Sequence, residues 1–72
     1  MVNKTYKIID VVGVSEESIQ DGVRNALKKA SQTLRNIDWF EVIQVRGAVL
    51  KNSEPQFQVH VRIGFRLEDQ PV

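Results

Sequence analysis

From Gln56 to Leu67 the chain reads QFQVHVRIGFRL, and apolar and polar residues alternate through it without a break. A β-strand turns successive side chains to opposite faces. Phe57, Val59, Val61, Ile63, Phe65 and Leu67 therefore share one side, and Gln56, Gln58, His60, Arg62, Gly64 and Arg66 share the other. No helical period sorts this pattern. A strand so apolar on one side must be covered there, and the rest of a 72-residue chain has to supply the cover.

One segment can do so. In EESIQDGVRNALKKASQTLRN, Glu16 to Asn36, the apolar residues Ile19, Val23, Ala26, Leu27, Ala30 and Leu34 recur at spacings of three and four, which is one face of a helix. Ser15 is placed to cap its start, with Glu16 and Glu17 suiting the positive end of the helix dipole. Lys28, Lys29 and Arg35 complement the other end, and Asn36 can take the left-handed conformation that closes a helix. The expected helix has about twenty residues and a length of about 30 Å.

Two more strands flank it. TYKIIDVVGV, Thr5 to Val14, is rich in β-formers and carries apolar residues on both faces. WFEVIQVRGAVL, Trp39 to Leu50, is joined to the alternating strand by the turn-forming KNSEP, which predicts a hairpin. Strand, helix, strand, strand is an α+β arrangement: one domain spanning residues 1–72, with a three-stranded antiparallel sheet and one helix packed on one face. A right-handed crossover leaves a gap between the first two strands, and the last strand fills it.

Strict alternation in the middle strand sets Ile43, Val45 and Val49 against Phe40, Val42, Ala48 and Leu50, leaving both faces apolar. One helix cannot cover both, so a further chain is expected to pack there. Size points the same way. A core in a chain of this length supplies only about 3 to 5 kcal/mol, and such domains are usually reinforced by disulfides, metal or self-association. There is no cysteine and only one histidine, His60, which leaves self-association.

Ten Lys and Arg against nine Asp and Glu give a net charge of +1, too balanced for a nucleic-acid or membrane footprint. The start resembles no signal peptide, and no apolar run approaches a membrane span of about 18 residues. A soluble, cytoplasmic chain is expected. There is no phosphate loop, nucleophile motif or carboxylate pair at catalytic spacing, so no enzyme is expected. Asp38 and Glu41 read as surface carboxylates near the Trp, and His60 as a hydrogen-bonded or solvent-facing residue.

Ligand binding fares better. The polar side of the last strand carries Gln58, Arg62 and Arg66, and the chain has no second helix to cover it. The Gln58 amide sets a donor beside an acceptor, which can match the edge of a heterocycle. Trp39, the only tryptophan, offers a flat π-face, although by position alone it reads more readily as a core residue where the helix hands over to a strand.

TYKIIDVVGVS, DWFEV followed by RG, and FQVHVRIGFRLED together resemble the dodecin family of small flavin-binding proteins, from Thr5 to Asp69 without evident gaps. The resemblance implies a hollow homododecamer of cubic symmetry that stacks flavin pairs between symmetry-related tryptophans, the position Trp39 occupies. It implies that Gln58 hydrogen-bonds the flavin edge and that Arg46 and Arg66 lie near the site and the subunit contacts. FMN is the implied ligand, with riboflavin or lumichrome as alternatives and coenzyme A as a possible additional one. One departure stands out: Gln44 replaces the acidic residue that many relatives carry before RG, which leaves the partner of Arg46 open.

The function implied is non-enzymatic flavin binding, storage and buffering, with the photochemistry of the flavin quenched by the indoles. The rivals are a structural or interaction oligomer without flavin, a binder of coenzyme A or another nucleotide, and an RNA-binding sheet using Gln58, His60, Arg62 and Arg66. The last lacks the exposed interleaved aromatics that stack bases.

Overall fold

The computed structural model describes residues 4–67. Strand β1 spans Tyr6–Ser15, helix α1 Ile19–Ser31, strand β2 Ile37–Val49 and strand β3 Pro55–Arg66, with a short 3-10 turn at Lys51–Ser53 between the last two. The sheet order is β1-β3-β2, and β3 runs antiparallel to both neighbours. This is the expected α+β architecture with the last strand central. Pro55 opens β3, where the missing N–H costs no ladder bond.

The helix-facing side of β3 forms the core. Val59, Val61 and Ile63 are fully buried, Ala26 and Ala30 of α1 lie against them, and Ile9, Val11, Val23, Leu27, Leu34 and Ile37 pack around the cluster. The buried stripe of the helix is made of small residues, Gly22, Ala26 and Ala30, four apart. Their size lets the helix axis come close to the sheet. At the crossing with β1, a Cβ on Gly13 would fall 1.9 Å from the Gly22 carbonyl oxygen.

The helix is shorter than its periodicity suggests. It has 13 residues, about 20 Å, and its N-cap is Ser18 rather than Ser15. Ser18 has extended backbone angles, and its hydroxyl accepts from the Asp21 N–H at 3.0 Å. Ser15 remains the last residue of β1, where it is buried. Its hydroxyl donates to Asp21 Oδ2 at 2.8 Å and accepts from the Glu17 N–H at 2.9 Å, which ties the strand end to the first helical turn. Gln32 caps the C-terminus in a right-handed conformation. Asn36 does adopt the left-handed region, φ 62°, but beyond the helix, where it turns the chain into β2. Its carbonyl accepts from the Arg66 N–H at 3.0 Å.

Strict alternation fails in β2. The register slips between Ile37 and Trp39 and again between Val42 and Gln44, so Asp38 and Ile43 are extra residues at bulges. Each bulge resets the phase. Phe40, Val42 and Val45 consequently face Ile63, Val61 and Val59 on the helix side, while Trp39, Glu41, Gln44, Arg46 and Ala48 share the open side with Gly64, Arg62, His60, Gln58 and Gln56. The apolar surface of β2 is gathered on one face rather than split between two. It is nevertheless uncovered, because α1 lies over β1 and β3 and scarcely reaches β2. Phe40, Val42, Val45 and Val49 all remain exposed, Val49 by 80%.

Candidate ligand-binding face

The open side of the sheet, turned away from α1, carries every residue singled out for binding. At one end Trp39 lies across from Gly64. The six-membered ring of its indole occupies the space that a side chain at 64 would fill: a Cβ there would sit 2.2 Å from Cζ2, 2.3 Å from Cε2 and 2.5 Å from Cη2. Gly64 is thus a shelf, and the ring resting on it buries it. Tyr6 closes the arrangement from β1, its ring 4.9 Å from that of Trp39 at 64°, an edge-to-face contact. The indole keeps 39% of its surface exposed. A core tryptophan would not, so the burial reading of this residue is set aside.

Gly64 and Tyr6 join the candidate site through their contacts with Trp39, and sequence reasoning missed both. The signal for the first was present, since a glycine inside an alternating strand marks a close approach. The second becomes visible only once β1 is paired with β3, which sets Tyr6 beside Arg66.

The other end belongs to Gln58. Arg46 lies opposite it in the register, and its Nε donates to Gln58 Oε1 at 2.9 Å. The Gln58 amide nitrogen donates in turn to Gln56 Oε1 at 3.2 Å. The partner of Arg46 is therefore Gln58. Gln44 faces His60 and joins Asp10, Arg46, Gln58 and His60, with Val11 and Val12, around a small cleft of about 120 Å³.

Between the two ends stands a charged cluster. Asp10 Oδ1 accepts from His60 Nε2 at 2.9 Å and from Arg62 Nε at 3.2 Å. Because a carboxylate can only accept, the proton of a neutral His60 resides on Nε2. The His60 hydrogen bond, foremost, holds the Asp10 carboxyl below its ordinary value; desolvation opposes it, and Arg62 adds to the lowering. A depressed folded-state value means that this contribution to stability is complete above the ordinary carboxylate range and is lost as pH falls below it. In a carbon-detected NMR titration, the Asp10 midpoint should lie below that of a free aspartate and rise in His60→Ala; an unchanged midpoint in the variant would assign the effect elsewhere.

Within one protomer these residues do not converge. From Gly64, under Trp39, to Gln58 is six residues along β3, about 20 Å. Arg66 belongs to the Trp39 end and Arg46 to the Gln58 end. A planar tricycle is shorter than that span, so a ligand touching both Trp39 and Gln58 must take them from different copies. Among the described residues there is no cluster of His, Cys, Asp and Glu suited to a metal ion and no helix long and apolar enough to cross a membrane.

Residues 5–68 match the family model for dodecin. The dodecin of Thermus thermophilus is 41% identical over 68 residues, 94% of this chain and 99% of its own length. Solved structures of relatives agree in three dimensions. The structure of dodecin from Streptomyces coelicolor superposes with a TM-score of 0.89 at 48% identity, covering 97% of this chain and all of its own. That of dodecin from Streptomyces davaonensis gives 0.88 at 44% identity, covering 94% of this chain and all of its own. A family match over nearly the whole chain, with relatives this similar in sequence and shape, places the chain in the dodecin family.

Proposed function

We propose that the protein is a non-enzymatic flavin-binding and storage protein, in which a homododecamer holds flavin pairs between Trp39 side chains of symmetry-related copies. The observation that carries this reading is the half-exposed indole of Trp39, braced by Tyr6 and laid over Gly64 on a sheet face that the described residues leave open. An aromatic plane held in place at no further entropic cost is a stacking platform, and offset stacking adds about 0.5 to 1.5 kcal/mol beyond the area buried. Gln58 reads the heteroatom edge of the ring. Arg46 and Arg66 lie near the ligand, and FMN suits them best because a guanidinium pairs well with phosphate; riboflavin and lumichrome share the same ring.

The flavin contributes a planar, electron-poor ring. Beside the electron-rich indole, its excited state is quenched by electron transfer before it reacts, so storage and photoprotection follow from one contact. Titrating FMN or riboflavin with the protein should extinguish flavin fluorescence at micromolar protein, and Trp39→Ala should remove most of the effect. Unchanged quenching in that variant would overturn the reading.

Assembly is supported separately by the uncovered side of β2. There a groove of about 440 Å³ runs between α1 and β2, walled by Ile19, Val23, Leu27, Phe40 and Val42. Apolar surface of this extent is ordinarily buried against another chain. Light scattering should report a large oligomer, weakened by Phe40→Glu; a monomer of 8.2 kDa in the unmodified protein would exclude the assembly. A large assembly that leaves flavin fluorescence untouched would instead favour the structural oligomer without flavin.

A further inference from the structure

Arg46, Gln58 and Gln56 form a hydrogen-bonded row across the open face, and the row has a direction. A guanidinium has five N–H donors and no acceptor. The contact of 2.9 Å from Arg46 Nε therefore requires the oxygen of the Gln58 amide at that point; the flipped amide would set N–H against N–H. The usual ambiguity between amide oxygen and nitrogen is removed by the partner. Gln58 Nε2 then points along the row, giving one hydrogen to Gln56 Oε1 at 3.2 Å and keeping the second.

We infer that Arg46 is a positioning residue, which fixes the Gln58 amide so that it meets the ligand with its N–H. The edge recognised is then a hydrogen-bond acceptor, a carbonyl oxygen or an unprotonated ring nitrogen. This rests on the flavin reading and refines it: Gln58 addresses a carbonyl of the isoalloxazine pyrimidine ring rather than its N–H. The second lone pair of Oε1 is a poor site for a ligand N–H, because it lies beside a cation whose own hydrogens repel a donor. Arg46 adds further N–H groups to the cleft it lines with Gln58, and these too favour an acceptor edge. An amide free to rotate would offer donor and acceptor alike; the arginine removes that choice.

The variant that separates the two possibilities is Gln58→Glu. A carboxylate still accepts from Arg46 but has no N–H to give. Riboflavin, which carries no phosphate to be repelled, is the probe. Quenching titrations should show Gln58→Glu weakened at least about tenfold relative to the unmodified protein, and no better than Gln58→Ala. Binding of Gln58→Glu within about threefold of the unmodified protein would show that the ligand donates to Gln58, and would overturn the inference.

The positioning role is read without ligand, from the exchange of the Arg46 Nε–H in nitrogen-15 NMR. That hydrogen should be protected in the unmodified protein and in Gln58→Glu, and exposed in Gln58→Ala. Equal exchange in all three would overturn it. If the unmodified protein fails to quench riboflavin, the storage reading falls and the acceptor-edge inference with it, whereas the exchange measurement still decides whether Arg46 holds the amide.

Discussion

Gly64→Ala should cost most of the flavin quenching while leaving the sheet folded. A methyl group at this position would lie 2.2 to 2.5 Å from three atoms of the Trp39 ring, closer than real carbon contacts come. The indole is rigid, with two rotatable bonds, and cannot bend around the methyl; it must swing off the shelf. Leaving is cheap for the fold, since Trp39 is not part of the core and 39% of it already faces out. For the site it is expensive. Departure breaks the edge-to-face contact with Tyr6 and replaces one held plane by many loose orientations, so the ordering cost falls on each binding event. Riboflavin affinity should drop at least about tenfold, with red-shifted Trp39 emission and a melting temperature within a few degrees of the original. Gly47→Ala is the matched control, because its Cβ would meet nothing nearer than the Gln56 carbonyl oxygen at 3.4 Å. Quenching that survives Gly64→Ala unchanged would mean that the shelf has no part in holding the platform.

How much of this could be read from the residues differs between the strands. β3 declared itself, since an unbroken period of two leaves one strand geometry and one buried side, and Val59, Val61 and Ile63 are that core. β2 did not, because a bulge is an insertion relative to a partner and leaves no periodic mark in a single sequence. The cost of missing it was the face of every residue after Ile43. With strict alternation Val45 falls on the side away from Val42; with the bulge both face the helix, and Arg46 is brought onto the side of Gln58. The helix start was ambiguous for another reason. Ser15 and Ser18 are equally good caps by type, and the choice is made by burial of Ser15 under the helix end, a tertiary fact. Trp39 and Gln58 both stood out in the sequence as candidate binding residues, yet their separation of about 20 Å in one copy did not. Composition names candidate parts without saying how far apart one copy holds them.

Gly13→Ala should unfold the protomer, and the assembly with it. Its φ is not positive, so alanine meets no backbone strain at this position. The obstacle is contact: the new Cβ would fall 1.9 Å from the Gly22 carbonyl oxygen and 2.9 Å from both the Gly22 carbonyl carbon and the Ala26 Cβ. Two of those three atoms are helix backbone and the third is fixed to it, so no side-chain rotation relieves the overlap and the helix must lift from the sheet. Lifting it uncovers Val59, Val61 and Ile63, which α1 and β1 together enclose. Overpacking of this kind costs about 1 to 3 kcal/mol and occasionally more, against a core that supplies about 3 to 5 kcal/mol in a domain of this size. At about 4 to 8 °C per kcal/mol, a cost near the upper figure lowers the melting temperature by more than about 12 °C. Circular dichroism melts should show that loss, and light scattering should show dissociation. Gly22→Ala should be milder, because its Cβ meets chiefly the Val59 Cγ2 at 2.9 Å, a side-chain methyl that can yield slightly. A Gly13→Ala protein that melts within about 3 °C of the original would show that the helix rides further from the sheet than these distances state. The ordering of the two glycines distinguishes a backbone-to-backbone crossing from ordinary tight packing, and only the former makes one methyl group decisive for the fold.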